Sequence, residues 1–493
     1  MGVLMSHFHL SPFIARAQSA SYGSEAYGAD VDVGPQRESC VTEASGSNTT
    51  LINPDDGWEA IVASAQPGAT LLFRAGSYQA NDKLWLSPGT ADGVITLKPY
   101  NCEEVTLYGS WRPLSYTVIA GLTLEAKGTS DNNYVMRIDS EYKGDYWGNI
   151  TKVIIRNNRI RGGQIDAIRI SDDASQITLV GNHIDGGLTG HNIFVTSEKL
   201  IQRPHEILIT NNQLTKNLSD LPAEDMLQVR DVGYVEFTYN TCTEGINMEQ
   251  CIDIKTTTMP LLIAHNFFDG ARLHKNGSGE DGADGCMVIH EGDGVADQHI
   301  VEHNFFKRCK GAAIRFASGS QDGMVSSGMV RYNLFAQTSY SEGEIPLVRA
   351  QNVHFLNNTM VCGRLKLGNS QQTKLPTATV IKNNIFYKTE IEDNTVLPAS
   401  TYTCAHNLLF TTLGNGFAIS GCTSVLATDP QFVGASGGDF RLLTTSPALQ
   451  ASEVNGTLGA LPLFQPATNL SFQLYLPVIH QAMKASLEIS CTP

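Results

Sequence analysis

Six short segments carry most of the candidate chemistry in this 493-residue chain. They are DAIRIS (166–171), HNIFVT (191–196), DMLQVR (225–230), QCIDIK (250–255), GCMVIH (285–290) and AAIRFA (312–317). Their third and fifth places are apolar, as in Ile168/Ile170 and Ile252/Ile254, the period of a strand with one buried face. The opposite face carries Asp166, Arg169, His191, Asp225, Gln228, Arg230, Asp253, Lys255, His290 and Arg315, which are expected to meet solvent. Stacked at about 4.8 Å, the segments align Arg230, Lys255 and His290 in one column. Gln228, Asp253 and Arg315 fall in the next.

Such a set can do proton chemistry on an acidic sugar. A lysine among cations gives up its proton more readily and can act as a general base. Asp225, Glu249 and Asp253 offer hard oxygen ligands suited to Ca²⁺, while Arg169, His191 and Gln228 are candidates to hold the substrate. A cation or arginine that neutralises a uronate carboxylate acidifies the adjacent ring proton. A base then removes that proton, and the 4-linked sugar leaves by β-elimination. Polar residues on the outside of a solenoid are ordinary. This face differs in concentrating acids, bases and a histidine over three coils, beside the polar excursion DGARLHKNGSGEDGADG (269–285). Long loops in compact repeats are usually functional.

The elements that must position these residues are set by a ladder of asparagines. Asn158, Asn182, Asn212, Asn240, Asn266, Asn304, Asn333, Asn358, Asn384 and Asn407 recur at intervals of 23 to 38 residues. Each is followed two residues later by a side chain that is usually apolar, such as Ile184, Phe306 or Phe386. Before most of them runs an alternating β-branched stretch, such as QITLVGN or EILITNN, and none of the intervening stretches reads as a crossover helix. A repeat of this period is one supersecondary unit stacked on copies of itself. The expected fold is all-β: a right-handed, single-stranded parallel β-helix of roughly 10–13 coils. Asn tolerates the left-handed turn conformation, and its amide can bond the copies above and below.

Three regions follow. Residues 1–50 read as leader and linker, with a possible signal segment at 1–17. Residues 51–425 form the β-helix, opened by a capping helix that Asp55 or Asp56 begins and whose Trp58, Ile61, Val62 and Ala65 face inward. Residues 426–493 hold a closing segment, ATDPQFVGASGGDFRLLTTSPALQ, and a tail with an apolar YLPVI run. The chain has 42% hydrophobic and 17% charged residues and a formal charge of -15. That charge argues against nucleic acid as a partner. It would also repel a polyanionic sugar unless cations or a basic cleft intervene. No stretch is apolar enough to span a membrane, and a secreted or cell-surface monomer is expected. Among the ten cysteines, the pairs Cys40–Cys102 and Cys404–Cys422 are the expected disulfides. For Cys242, Cys251, Cys286 and Cys309, buried free thiols between coils are expected at least as much as bridges.

The opening AQPGATLLFRAGSY and the asparagine coils resemble the right-handed β-helix (pectin lyase-like) polysaccharide lyases, particularly the alginate lyase and chondroitinase B group. That family carries an acidic residue, then a catalytic Lys near a coil's end, then an Arg-His step one coil later. Here Glu249 is followed by IDIKTT with Lys255 and by MVIHEGD with His290. The resemblance implies Lys255 as base and a uronate polymer as substrate, while Ca²⁺ as cofactor rests on the acids Asp225, Glu249 and Asp253. Two positions depart from it. The paired glutamates are represented only by Glu249, and Ile289 stands where the Arg would, so Arg230 or Arg315 has to replace it. Two other readings stay open: a glycoside hydrolase using Asp225 and Asp253, and a non-catalytic carbohydrate-binding β-helix.

Overall fold

The computed structural model describes residues 48–460 except for 127–133, 143, 144, 147, 199–201, 217–222, 246, 247, 271–284, 291–298, 310, 318–324, 338–343, 348, 349, 368–376, 394–401, 413–418, 420 and 455. The possible signal segment 1–17, Cys40, most of the 269–285 excursion and the YLPVI tail therefore lie outside the described residues. Within those limits the chain is a parallel β-helix. A 15-stranded sheet takes the strands that precede the ladder asparagines, and a 20-stranded sheet takes those that follow, together with the chemistry-bearing strands. The register keeps equivalent residues side by side. Ile209 lies beside Phe237, Ile263 beside Val301, and Ile160 beside Ile184.

The ladder works through its amides. Asn266 donates its backbone N–H and its Nδ2 to Asn304 Oδ1, both at 2.9 Å. The same Nδ2 reaches the Phe237 carbonyl at 2.8 Å. This arrangement repeats from Asn158 to Asn384, and all ten asparagines are buried. Every buried polar group of the amide is thereby used, which is the condition for placing it in a core. One expectation is corrected here. The left-handed residue is not the ladder asparagine but the one before it: Asn157, Asn211, Tyr239, His265, His303, Tyr332, Asn357, Asn383 and His406 all have positive φ. The turn needs that conformation one step earlier, so that the asparagine itself points inward.

Two residues on, the apolar side chains stack down the interior. Phe268, Phe306 and Phe335 sit with ring centroids 4.8 and 5.0 Å apart, each burial contributing roughly 2–3 kcal/mol. Cys242, Cys251, Cys286 and Cys309 also point inward, yet they are not free. Cys242 is bridged to Cys251 and Cys286 to Cys309. Buried positions that face each other bring their Cα atoms to 6.0 and 5.4 Å, within disulfide reach. Cys404 is joined to Cys422 as expected, and Cys102 is also disulfide-bonded.

The first strand is Thr49–Ile52, paired with Thr70–Phe73, so pairing begins earlier than the sequence suggested. Between them lies a helix, Trp58–Ala63, with Trp58 and Val62 buried. Its N-cap is Gly57 without a side-chain hydrogen bond, not Asp55 or Asp56. Asp56 instead accepts from Asn53, holding the preceding turn. Ile61 is only partly buried. At the other end, Phe432–Gly434 and Asp439–Leu442 form an antiparallel pair. Phe440 packs with Phe305, Leu334 and Val361, and Leu442 and Leu458 pack with Ile385 and Leu408.

The left-handed residues also build an outer stack. Tyr239, His265, His303 and Tyr332 lie nearly parallel, with centroids 4.7, 5.0 and 5.1 Å apart. Burial, then the neighbouring His303, depresses His265 to a pKa of about 4, and burial also lowers His303. Unfolded histidines titrate near 6.5, so below that pH the unfolded chain binds more protons than the native one. The stability due to this stack is complete above about pH 6.5 and is lost as pH falls through about 4. Melting temperatures over this range should fall less for His265→Phe than for the parent protein. Parallel acid limbs would refute the assignment.

Candidate active site on the outer face

The chemistry-bearing strands pair in the register their sequences imply. Phe194 lies beside Gln228, Gln228 beside Asp253, Asp253 beside Val288, and Val288 beside Arg315. Because Val229 pairs with Ile254 and Ile254 with Ile289, the next rungs bring Arg230, Lys255 and His290 into one column. Two residues back, Asp166, His191, Asp225 and Gln250 form a third column, since Ile168, Ile193, Leu227 and Ile252 pair in series.

Exposure departs from expectation. Arg230 and Arg315 are exposed, and the side chains of Lys255 and His290 are 36% and 31% exposed. Asp166, His191, Asp225, Gln228 and Asp253 are buried. Side chains about 4.8 Å apart cover one another, so an outward direction does not ensure contact with water.

These side chains form one polar chain. Arg169 Nε donates to Asp166 Oδ2 at 2.8 Å, and His191 Nδ1 lies 2.8 Å from Asp166 Oδ1. His191 Nε2 is 3.8 Å from Asp225 Oδ2. The Gln228 amide donates to both Asp225 Oδ2 at 2.9 Å and Asp253 Oδ2 at 3.1 Å. Asp253 then pairs with Lys255 Nζ at 3.0 Å and His290 Nε2 at 2.9 Å. Lys255 therefore has an anion as its nearest charged partner, where the sequence suggested crowding by cations. Arg230 turns to Asp231 at 3.5 Å. Glu249, half-buried, adds negative potential at Asp225.

Two acids one rung apart cannot both ionise cheaply. Burial, then the Asp253 charge, pushes Asp225 well above the ordinary carboxylate range. Asp253 is also raised by burial, but His290 and Lys255 outweigh that and hold it below its ordinary value. Of the two, Asp225 is the carboxyl that releases its proton at the higher pH and Asp253 the one that releases it first. In the native state Asp225 keeps a proton that the unfolded chain releases near pH 4. Stability consequently falls as pH rises from about 4 to the native pKa of Asp225. Asp225→Asn, a neutral isostere, should melt higher than the parent in EDTA, with a gap that widens over that interval. A lower melting temperature across the range would show that Asp225 is held ionised.

Asp225 Oδ1 and Gln250 Oε1 are buried without a hydrogen-bond partner, and they occupy adjacent rungs. These are the oxygen donors available to a hard cation. Among the described residues no group of three or more His, Cys, Asp or Glu side chains is placed to hold a metal. Gln250 escaped the sequence reading although the register rule applied to QCIDIK points to it. Tyr134 and Arg137, beside Arg169, lie on the strand Tyr134–Ile138, which is outside the six segments; Phe194 lies within HNIFVT at an outward position but is apolar, and Glu198 follows that segment.

The chain matches no family model and no curated protein. Its fold does recur in solved structures. A structure titled "Structure of PL6 family alginate lyase AlyGC" aligns with a TM-score of 0.55 at 14% identity, covering 85% of this chain and 59% of that one. A second, "a new PL6 alginate lyase complex with trisaccharide", gives 0.53 at 12% identity, covering 86% and 98%. The likeness is one of fold. This chain spans 59% of the length of the first of these lyases, and no helix among the described residues is long and apolar enough to cross a membrane.

Proposed function

We propose that this protein is a secreted lyase that cleaves a uronate-containing polysaccharide by β-elimination, with Lys255 as the base. The observation that carries this reading is the convergence of Lys255 and His290 on the one carboxyl group of Asp253. Asp253 fixes both nitrogens at the edge of an exposed rung, where a polymer can reach them. Nζ, held 3.0 Å from Asp253 Oδ2, is the nitrogen that would accept the ring proton. Arg230 and Arg315 lie exposed on flanking rungs, and either would neutralise the substrate carboxylate. His290 would donate toward the leaving oxygen. The alginate lyase titles among the fold relatives support the substrate class.

The hydrolase reading is less well supported. Asp225 and Asp253 share one amide and are buried, so they do not flank a space in which a glycosidic bond could lie. The test is ultraviolet absorbance on alginate, polygalacturonate and chondroitin. A lyase makes a conjugated double bond, and a hydrolase releases reducing ends without it. For the calcium ion, Asp225 Oδ1 and Gln250 Oε1 would supply ligands, and the ion would neutralise charge at the substrate. EDTA should then suppress the absorbance change and added Ca²⁺ restore it. Full activity in EDTA would leave neutralisation to the arginines.

A further inference from the structure

On the same face, the column through Gln228 and Asp253 continues for several coils toward the N-terminus. Phe194 lies beside Arg169 and Arg169 beside Arg137. Trp111 pairs with Met136, which sets Arg112 beside Arg137, and Arg112 pairs with Trp85. The ring of Tyr134 lies over this column, 5.7 Å from the guanidinium carbons of Arg112 and Arg137 and 4.8 Å from that of Arg169. Arg169 also stands 4.8 Å from the Phe194 ring, and Arg112 stands 5.9 Å from Trp85. Trp85, Tyr134 and Phe194 are all partly exposed and occupy every second coil, about 10 Å apart. That spacing is comparable with a disaccharide unit of a 1,4-linked pyranose chain.

The arginines are not free cations. Arg137 pairs with Asp139 and with Glu198 at 3.3 Å, and Arg169 pairs with Asp166 at 2.8 Å and Glu198 at 2.5 Å. Three arginines and three acids leave this run without net charge. It offers partly exposed aromatic rings held in place by planar, multiply bonded guanidinium groups. Rings of this kind suit the C–H faces of sugars, and the fixed guanidinium–carboxylate forks suit hydroxyls.

We propose that Trp85, Tyr134 and Phe194, braced by Arg112, Arg137 and Arg169, form an extended polysaccharide subsite that takes sugar ring faces and hydroxyls rather than carboxylates. It rests on the reading of this face as carbohydrate-binding, and it lengthens the binding track beyond the Lys255 rung. Its contribution is insensitive to salt because charge attraction is not its basis.

The full chain, Trp85→Leu and Phe194→Leu are assayed on alginate, polygalacturonate and chondroitin oligosaccharides fractionated from disaccharide to octasaccharide. Retardation in gels that contain each intact polymer is measured in parallel, at low and high salt. For whichever polymer is used, both variants should raise KM by about five- to tenfold on the longest oligosaccharides and progressively less on shorter ones. Gel retardation should weaken by a similar factor at both salt levels, with melting temperatures retained. An equal KM change at all lengths, a loss only at low salt, or a parent protein that none of the polymers retards would overturn the subsite. A parent that is retarded in these gels yet forms no conjugated product, with both leucine variants weakened, would sustain the subsite and defeat the lyase reading instead.

Discussion

Lys255→Ala should lower turnover on the preferred uronate polymer by about 10²–10⁴-fold, the range by which a positioned general base contributes. The side chain is 36% exposed and among the described residues its ion pair is with Asp253, so the melting temperature should move little. The loss should appear in kcat rather than in KM, because the amine is needed when the ring proton leaves and adds little to ground-state affinity. Lys255→Arg should not rescue activity, since a guanidinium does not give up its proton in this pH range. Asp253→Asn gives a second readout. It removes the anion that fixes both Lys255 and His290, and it should broaden or shift the pH profile as well as reduce the rate. Retention of full kcat by Lys255→Ala would remove the base from the mechanism proposed here.

The largest effect on stability is expected at the ladder. Asn266→Ala would delete an amide whose Nδ2 donates to Phe237 O and Asn304 Oδ1, and whose Oδ1 accepts the Asn240 N–H and Nδ2. The Asn240 N–H and the Phe237 carbonyl would be left buried without their amide partner, at about 1–3 kcal/mol for each unsatisfied group. A total cost of roughly 3–5 kcal/mol follows, which is exceptional for a single substitution. The same change at the exposed Asn81, bonded among the described residues to Glu59, should cost well under 1 kcal/mol. Urea denaturation of the three proteins measures the difference. If Asn266→Ala and Asn81→Ala unfold at the same midpoint, the ladder contributes no special stability.

The sequence revealed more of the frame than of the chemistry. A ladder asparagine is recognisable because its period is long, its neighbours alternate, and its amide has one geometrical use in a stack. The columns follow from it: once Asn240 and Asn266 are placed in register, Gln228 must lie near Asp253 and Arg230 near Lys255. The left-handed turn was assigned one residue too late, because Asn is a favourable residue for that conformation and the residue actually adopting it is variously Asn, Gly, Tyr or His. The four interior cysteines were harder to read. Bridging depends on whether two inward Cβ vectors of one coil meet, and spacing in sequence does not state that.

Periodicity therefore determined which residues share a face, because strand alternation and coil stacking are properties of the backbone that side chains merely mark. Only the tertiary structure decided what the residues of that face do to one another. Asp225 and Asp253 look alike in DMLQVR and QCIDIK. Burial and a neighbouring negative charge raise the pKa of the first, while Lys255 and His290 lower that of the second. Arg169 and Arg230 both occupy outward positions, yet the first is locked between two acids and two rings and the second is exposed. Ionisation and availability depend on distances of a few ångströms between coils that are far apart in sequence, and the electrostatic energies that set them do not exist until those coils are stacked.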